Sequence, residues 1–251
     1  MRWKINFQEK AASSMDLIRD LARKGAEEGR VVYVGSQSRG RGRHQREWVS
    51  PQGGLYCSIL LRPQWDVQEL PKVTLMTAVA VSEAIKKISR LHTKIKWPND
   101  ILAEGKKLAG ILVKSEIKGN RVEYVVIGIG VNVNTSRKDL PKEAVSLRRL
   151  TSREYDLRKF LDVILKRMDY WYTKTSRHGF HAVLNRWRRL CGTLGQRILV
   201  KECGLIEGDI YDLADDGGLL IKQDDGWITK IVNGDVLSAE VEKRAKCAED
   251  V

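Results

Sequence analysis

Between Ser38 and Trp48 the chain reads S-R-G-R-G-R-H-Q-R-E-W, with Arg39, Arg41 and Arg43 alternating with Gly40 and Gly42 before Arg46. Burying that many guanidinium groups unpaired is strongly unfavourable, so the stretch must face solvent or an anion. Guanidinium presents paired donors to phosphate or carboxylate, and glycines let backbone N–H groups come close to a ligand. The chemistry on offer is anion clamping; the plain alternative is a solvated turn between strands. A second cluster, Lys96-Trp97-Pro98-Asn99-Asp100, precedes Lys106-Lys107-Leu108-Ala109-Gly110. Asn99 and Asp100 suit a tight turn by turn chemistry alone. Lys107 opens an apolar run, where a lysine either snorkels or points its ammonium into a site. The third cluster, Gly128 to Asn134 (G-I-G-V-N-V-N), has glycines that either admit a ligand close to the backbone or mark a bulged strand. His44, His92, His178 and His181 show no metal-ligand spacing, and no G-x-S-x-G, P-loop or Rossmann pattern occurs. An enzyme built on these residues handles anions without a protein nucleophile.

The elements that must position these residues can be read from periodicity. Met15, Ile18, Leu21 and Ala22 recur at helical intervals after Ser13 and Ser14, which predicts a Ser-capped helix over 14–28 that ends near Gly29. VVYVGSQ and LYCSILL read as strands flanking the Arg/Gly loop, and residues 70–90 as a buried helix packed on a sheet. KIKW, ILAEG, KKLAGILVKSEI and VEYVVIGIGVNVN add strands, and 156–190 reads as two helices. After Gly192 short β-like runs alternate with Asp-Gly and Asn-Gly turns, as in small barrels. The pattern is α+β with a mostly antiparallel or mixed sheet, a domain boundary near 191–195, and a polar tail over 242–251.

The chain has 251 residues, 42% hydrophobic and including seven Trp, which is enough to bury a core and argues against disorder. No stretch approaches the roughly 20 apolar residues of a membrane span, and the N-terminus lacks a signal-peptide core. A cytoplasmic protein is the expectation. Cys57, Cys191, Cys203 and Cys247 have no C-x-x-C spacing, so reduced structural thiols are expected. Net charge is +13, but residues 191–251 hold 7 basic and 13 acidic side chains, leaving +19 on residues 1–190. Such a positive unit attracts nucleotide phosphates, nucleic acid or an acidic protein.

In order, G-R-G-R-x-x-R-x-W, K-W-P-N-D, K-K-L-A-G-I-L and I-G-I-G-V-N-V-N resemble the biotin-protein ligases. The resemblance implies a catalytic domain over 1–191, similar to class II aminoacyl-tRNA synthetases, and a small SH3-like β-barrel within 192–251. It implies an ATP-dependent ligase that makes biotinyl-5′-AMP and transfers biotin to a specific lysine of a biotin carboxyl carrier protein domain, with Mg²⁺ arriving on ATP and no protein metal site. By the same resemblance, Gly40, Arg41, Gly42 and Arg43 close over biotin and the adenylate, and Arg46 lies near the phosphates. Trp48 stacks on adenine, Lys107 meets the carboxylate or α-phosphate, and Asn99 and Asp100 line the nucleotide side. Gln37, Gly110, Gly128 and Gly130 belong to the biotin side and Asn132 to the ATP side. Ser13, Ser14 and Met15 stand where the family has Ser-Thr-Asn, and Gln45 where its loop has glycine. Because the first strand is expected by Trp3–Phe7, no DNA-binding unit precedes it and a repressor role is not expected. Monomers and homodimers both occur among similar proteins. Two rivals stand beside this reading: a lipoyl ligase, and a basic module that grips single-stranded nucleic acid with its Arg/Gly loop and Trp residues.

Overall fold

A computed structural model describes residues 1–201, 205–232 and 234–238. The larger unit is a seven-stranded sheet of β1 (Lys4–Ala11), β2 (Arg30–Gln37), β3 (Leu55–Leu61), β4 (Lys94–Lys96), β5 (Asp100–Ala103), β6 (Lys106–Lys118) and β7 (Arg121–Val131). Its order is β1-β2-β3-β7-β6-β5-β4. Only β1 and β2 run parallel, which makes the sheet mixed, within the expected α+β class.

Each face has its own core because alternate strand residues point to opposite sides. Val32, Val34, Tyr56, Leu60 and Val126 face α1 (Ser14–Arg23), which buries Met15, Ile18 and Ala22 on them. Val31, Cys57, Ile59, Ile127 and Ile129 face the other layer, α2 (Leu70–Ser89), α4 (Leu157–His178) and α5 (His181–Leu190). The short α3 (Leu147–Thr151) follows β7 by way of a loop. α2 is buried along most of its length, as its apolar and small residues predict.

α1 is shorter than its periodicity suggests. It stops at Arg23, Gly25 takes a φ of +79°, and Arg62, directly after β3, collects the carbonyls of Ala22 and Ala26 at 2.8 and 3.0 Å. A cation at a helix C-terminus satisfies carbonyls left without an intrahelical partner. Ser13 stands at the N-cap position without making the expected side-chain cap bond.

α4 has the cap that α1 lacks: Asp156 accepts from Lys159 N at 3.0 Å, and that bond holds its carboxyl below the usual range. A depressed folded-state value stabilises above the unfolded pKa of about 4 and is lost as pH falls through the folded value. Asp156→Ala therefore lowers the melting temperature at pH 7, and the gap from the parent closes on acidification below about pH 4. Thermal melts across pH 2–7 check this, and a gap that persists at pH 2 contradicts it.

The second sheet contains β8 (Arg197–Lys201), β9 (Leu205–Leu213), β10 (Leu219–Lys222), β11 (Ile228–Ile231) and β12 (Asp235–Ser238), all antiparallel, in the order β11-β10-β9-β8-β12. It occupies the place of the expected small barrel. Trp97 Nε1 donates to Gly217 O at 3.0 Å, and Arg188 bonds Asp212 and Leu213 O, joining this sheet to the larger unit. Cys57 and Cys191 are buried free thiols, and burial pushes Cys57 up to about 12, which leaves it an unreactive thiol at neutral pH. Cys203, Cys247 and the polar tail expected at 242–251 lie outside the described residues. Among the described residues no helix is long and apolar enough to cross a membrane.

Candidate active site

Gly110 on β6 pairs directly with Gly130 on β7, and Leu112 pairs with Gly128. With one residue's spacing between them, Gly128 and Gly130 share the α1 face of the sheet. The two paired glycines leave a bare patch, and the Trp48 indole lies on it. A Cβ at Gly130 would come within 2.5 Å of Trp48 Nε1, and one at Gly110 within 2.8 Å of Cζ3. Lys107 Nζ sits 5.2 Å from the Trp48 ring centre and 2.7 Å from Asp100 Oδ1. The ammonium is thus held between a carboxylate and a π-face.

The arginine loop folds back on itself. Gly42 N donates to Arg46 O at 2.7 Å, Arg46 N to Arg43 O at 3.0 Å, and Trp48 N to Gly40 O at 3.0 Å. A side chain at Gly40 would overlap Trp48 O and Ser50 Oγ, which explains the glycine there. His44 and Gln45 have φ of 51° and 61°, the left-handed region that favours glycine. That accounts for the glycine in the family pattern where this chain has Gln45. Arg41 Nη2 bonds Asp16 Oδ2 at 2.7 Å, while Arg43 Nη1 reaches Asn99 Oδ1 at 3.4 Å and Gly234 O at 3.3 Å. The loop is therefore tied to α1, to the β4–β5 turn and to the second sheet.

Where β1 enters α1, the serines make a polar wall. Ser14 N and Oγ both donate to Gln37 Oε1, at 2.8 and 3.1 Å, and Ser14 Oγ lies 2.9 Å from Ser58 Oγ. Gln37 Nε2 donates to Ser50 Oγ, which donates to Trp48 O, each at 2.8 Å. One hydrogen-bond chain thus runs from the start of α1 to Trp48. Two buried groups near it have no partner: Ser13 Oγ and Trp48 Nε1. Leaving a buried donor unsatisfied costs about 1–3 kcal/mol, so both are groups a polar ligand would satisfy.

These groups enclose a compact pocket of about 150 Å³ that adjoins an open groove of about 940 Å³. The residues singled out in the sequence converge here, with two exceptions. Gly40 lines the groove instead of the compact pocket. Asn132 lines neither: it is 2% exposed and its Nδ2 donates to Val145 O at 3.2 Å. β7 ends at Val131, so the alternation that points Gly128 and Gly130 into the pocket does not extend to Asn132. Met15 fills the space over Gly128, where a Cβ would meet its Sδ at 2.7 Å. The groove lies between the arginine loop, the start of α2, β6 and the second sheet, from which Gly217 and Val232 contribute.

Sequence reading missed Asp16, Ser50 and Ser58. Ser58 was detectable as the one small hydroxyl residue inside the apolar run LYCSILL, whereas Asp16 reads as an ordinary first-turn acid. Arg41, Arg43, Arg46 and Lys107 outnumber Asp100 and Glu47 on the walls of the compact pocket, so it suits a polar anion. Among the described residues no group of three or more His, Cys, Asp or Glu could hold a metal ion.

The model of the Biotin/lipoate A/B protein ligase family matches residues 9–132, and that of the Biotin protein ligase C terminal domain matches 193–244. The bifunctional ligase/repressor BirA of Bacillus spizizenii is 35% identical over 236 residues, covering 92% of this chain and 72% of that protein. The biotin–[acetyl-CoA-carboxylase] ligase of Paracoccus denitrificans is 33% identical over 197 residues, 76% of this chain and 82% of its own length. The structure of the biotin protein ligase from Aquifex aeolicus in complex with biotin and ATP superposes with a TM-score of 0.80 at 29% identity, covering 93% of this chain and 97% of that one.

Proposed function

The chain belongs to the biotin/lipoate A/B protein ligase family, and from that premise we propose that it runs the two half-reactions of a biotin–[acetyl-CoA-carboxylase] ligase. In the first, a biotin carboxylate oxygen attacks the α-phosphorus of ATP; the bond to the bridging oxygen breaks and pyrophosphate leaves with its electron pair. In the second, the amine of a lysine on a biotin carboxyl carrier domain attacks the acyl carbon of biotinyl-5′-AMP. AMP leaves, the nitrogen loses a proton and an amide remains.

One observation carries this reading: a compact pocket that holds Lys107 and an unpartnered buried hydroxyl at Ser13 opens onto a groove lined by the arginine loop. A bicyclic ligand with a polar ring and a carboxylate tail needs both. Ser13, Ser14 and the frame built on Gln37 face the ring, with Met15, Gly110 and Gly128 shaping the space around it. Lys107, Arg41 and Arg43 take the carboxylate and the charge that develops on the α-phosphate, where fixed cations stabilise a transition state most. Arg46 takes the distal phosphates, and Trp48 on Gly130 offers a stacking face for adenine beside Asn99 and Asp100. An ammonium has three donors, so Lys107 can meet the substrate while Asp100 still holds it. Mg²⁺ supplies charge neutralisation when bound, and it travels on the ATP phosphates. The reading places the protein in the cytoplasm with its carrier.

Pyrophosphate exchange into ATP, run with biotin, with lipoate and with neither, tests this. Exchange that depends on biotin is expected. Exchange with lipoate alone, or with neither acid, overturns it.

A further inference from the structure

The groove that adjoins the pocket is bordered in part by Val232, which directly follows β11; that strand sits at the edge of its sheet with β10 on one side and, among the described residues, no strand on the other. Ile231 on this strand is fully buried, whereas Ile228 and Val232 are 48% and 58% exposed. Trp227, just before the strand, is 74% exposed, the most exposed large apolar side chain among the described residues. Alternation sets Ile228 and Lys230 on the outward face, and Val232, just past the strand, lines the groove. A lone exposed Val or Ile needs no explanation. An exposed Ile on a strand edge that is unpaired among the described residues, flanked by an exposed Trp and Val, forms an arrangement that sheets avoid unless a partner covers it.

The second half-reaction says which partner. An acceptor lysine can reach the acyl carbon only if the domain that bears it rests on the rim of the groove. The arginine loop border is engaged with the adenylate, and the start of α2 contributes helix with its backbone already paired. β11 offers both a backbone edge with no partner strand among the described residues and, at Ile228 and the flanking Trp227, exposed apolar side chains. Resting on the ligase reading, we propose that the carrier domain docks on the edge and outer face of β11, from Trp227 to Val232, and that its lysine enters the groove past Val232. Strand addition supplies main-chain hydrogen bonds, and Trp is among the residues enriched at the energetic centres of protein interfaces.

Trp227→Ala and Ile228→Lys test this, because both side chains lie outside the pocket and the groove and neither belongs to the buried core. Transfer is measured with a purified biotin carboxyl carrier domain as acceptor, and biotin-dependent pyrophosphate exchange is measured on the same preparations. The KM for the carrier is expected to rise about tenfold or more, with exchange within about twofold of the parent. A carrier KM unchanged in both variants overturns the docking. So does a parallel fall in exchange, which would mean that the strand acts on the site itself. A change confined to sedimentation would make a second copy of this chain the occupant. Loss of exchange in the unsubstituted protein would instead overturn the ligase reading, and with it this one.

Discussion

Lys107→Ala lowers biotin-dependent pyrophosphate exchange by about 10²-fold or more, the usual scale for losing one preorganised charge at a developing oxyanion. The size of the effect follows from where the ammonium is held. Asp100 at 2.7 Å and the Trp48 ring at 5.2 Å fix Nζ before any substrate arrives, so little reorganisation is left for the moment of reaction. Alanine removes the cation and leaves the Asp100 carboxylate facing incoming phosphates, so attraction becomes repulsion. The fold loses little: the pair is partly exposed, and such pairs contribute about 1 kcal/mol or less. Lys107→Arg keeps the charge but widens the head group beside Trp48, so it recovers part of the rate. Steady-state exchange with a parallel thermal melt checks both, and an unchanged exchange rate in Lys107→Ala would remove this residue from the chemistry.

The second large effect comes from Gly130→Ala. The added Cβ lies 2.5 Å from Trp48 Nε1, 2.6 Å from Cε2 and 2.9 Å from Cζ2, so the rigid indole must move by roughly 1 Å. Displacements of that size at a positioning element cost about 10²-fold in rate. The loss should appear in kcat/KM for ATP, because Trp48 is the group displaced. Gly128→Ala is the control. Its Cβ meets the end of the flexible Met15 side chain at 2.7 Å, which can rotate away, so the change should be smaller and should fall on the KM for biotin. Equal effects of the two substitutions on ATP would mean that the seat of Trp48 on the glycines does not matter to nucleotide binding.

Much of the fold was legible because it is written in local periodicity. β2 and β3 around the loop, the buried α2, the pair α4 and α5, and the short strands after Gly192 all follow from spacing and turn residues. The end of α1 was not legible, since it depends on Arg62, a residue remote in sequence that binds the last carbonyls. For the site, the residue types of the Arg/Gly loop, Lys107 and the strand glycines were visible, because anion chemistry and close backbone approach require them wherever they stand. The placement of Asn132 could not be read, because nothing local marks the point at which β7 stops alternating.

By itself the sequence determined the inventory: arginines with glycines between them, a lysine at the head of an apolar strand, serines before a helix, and elements of suitable length to carry them. Only the tertiary structure decided how those groups meet. The register that sets Gly110 opposite Gly130 is a relation between strands, and so is the seat of Trp48 that this register opens. Asp16 became the partner of Arg41, and Gly234 an acceptor for Arg43, through packing of segments far apart in the chain. Local sequence sets backbone preference, whereas distances of 3 Å between remote side chains are set by strand register and by how two sheets are joined.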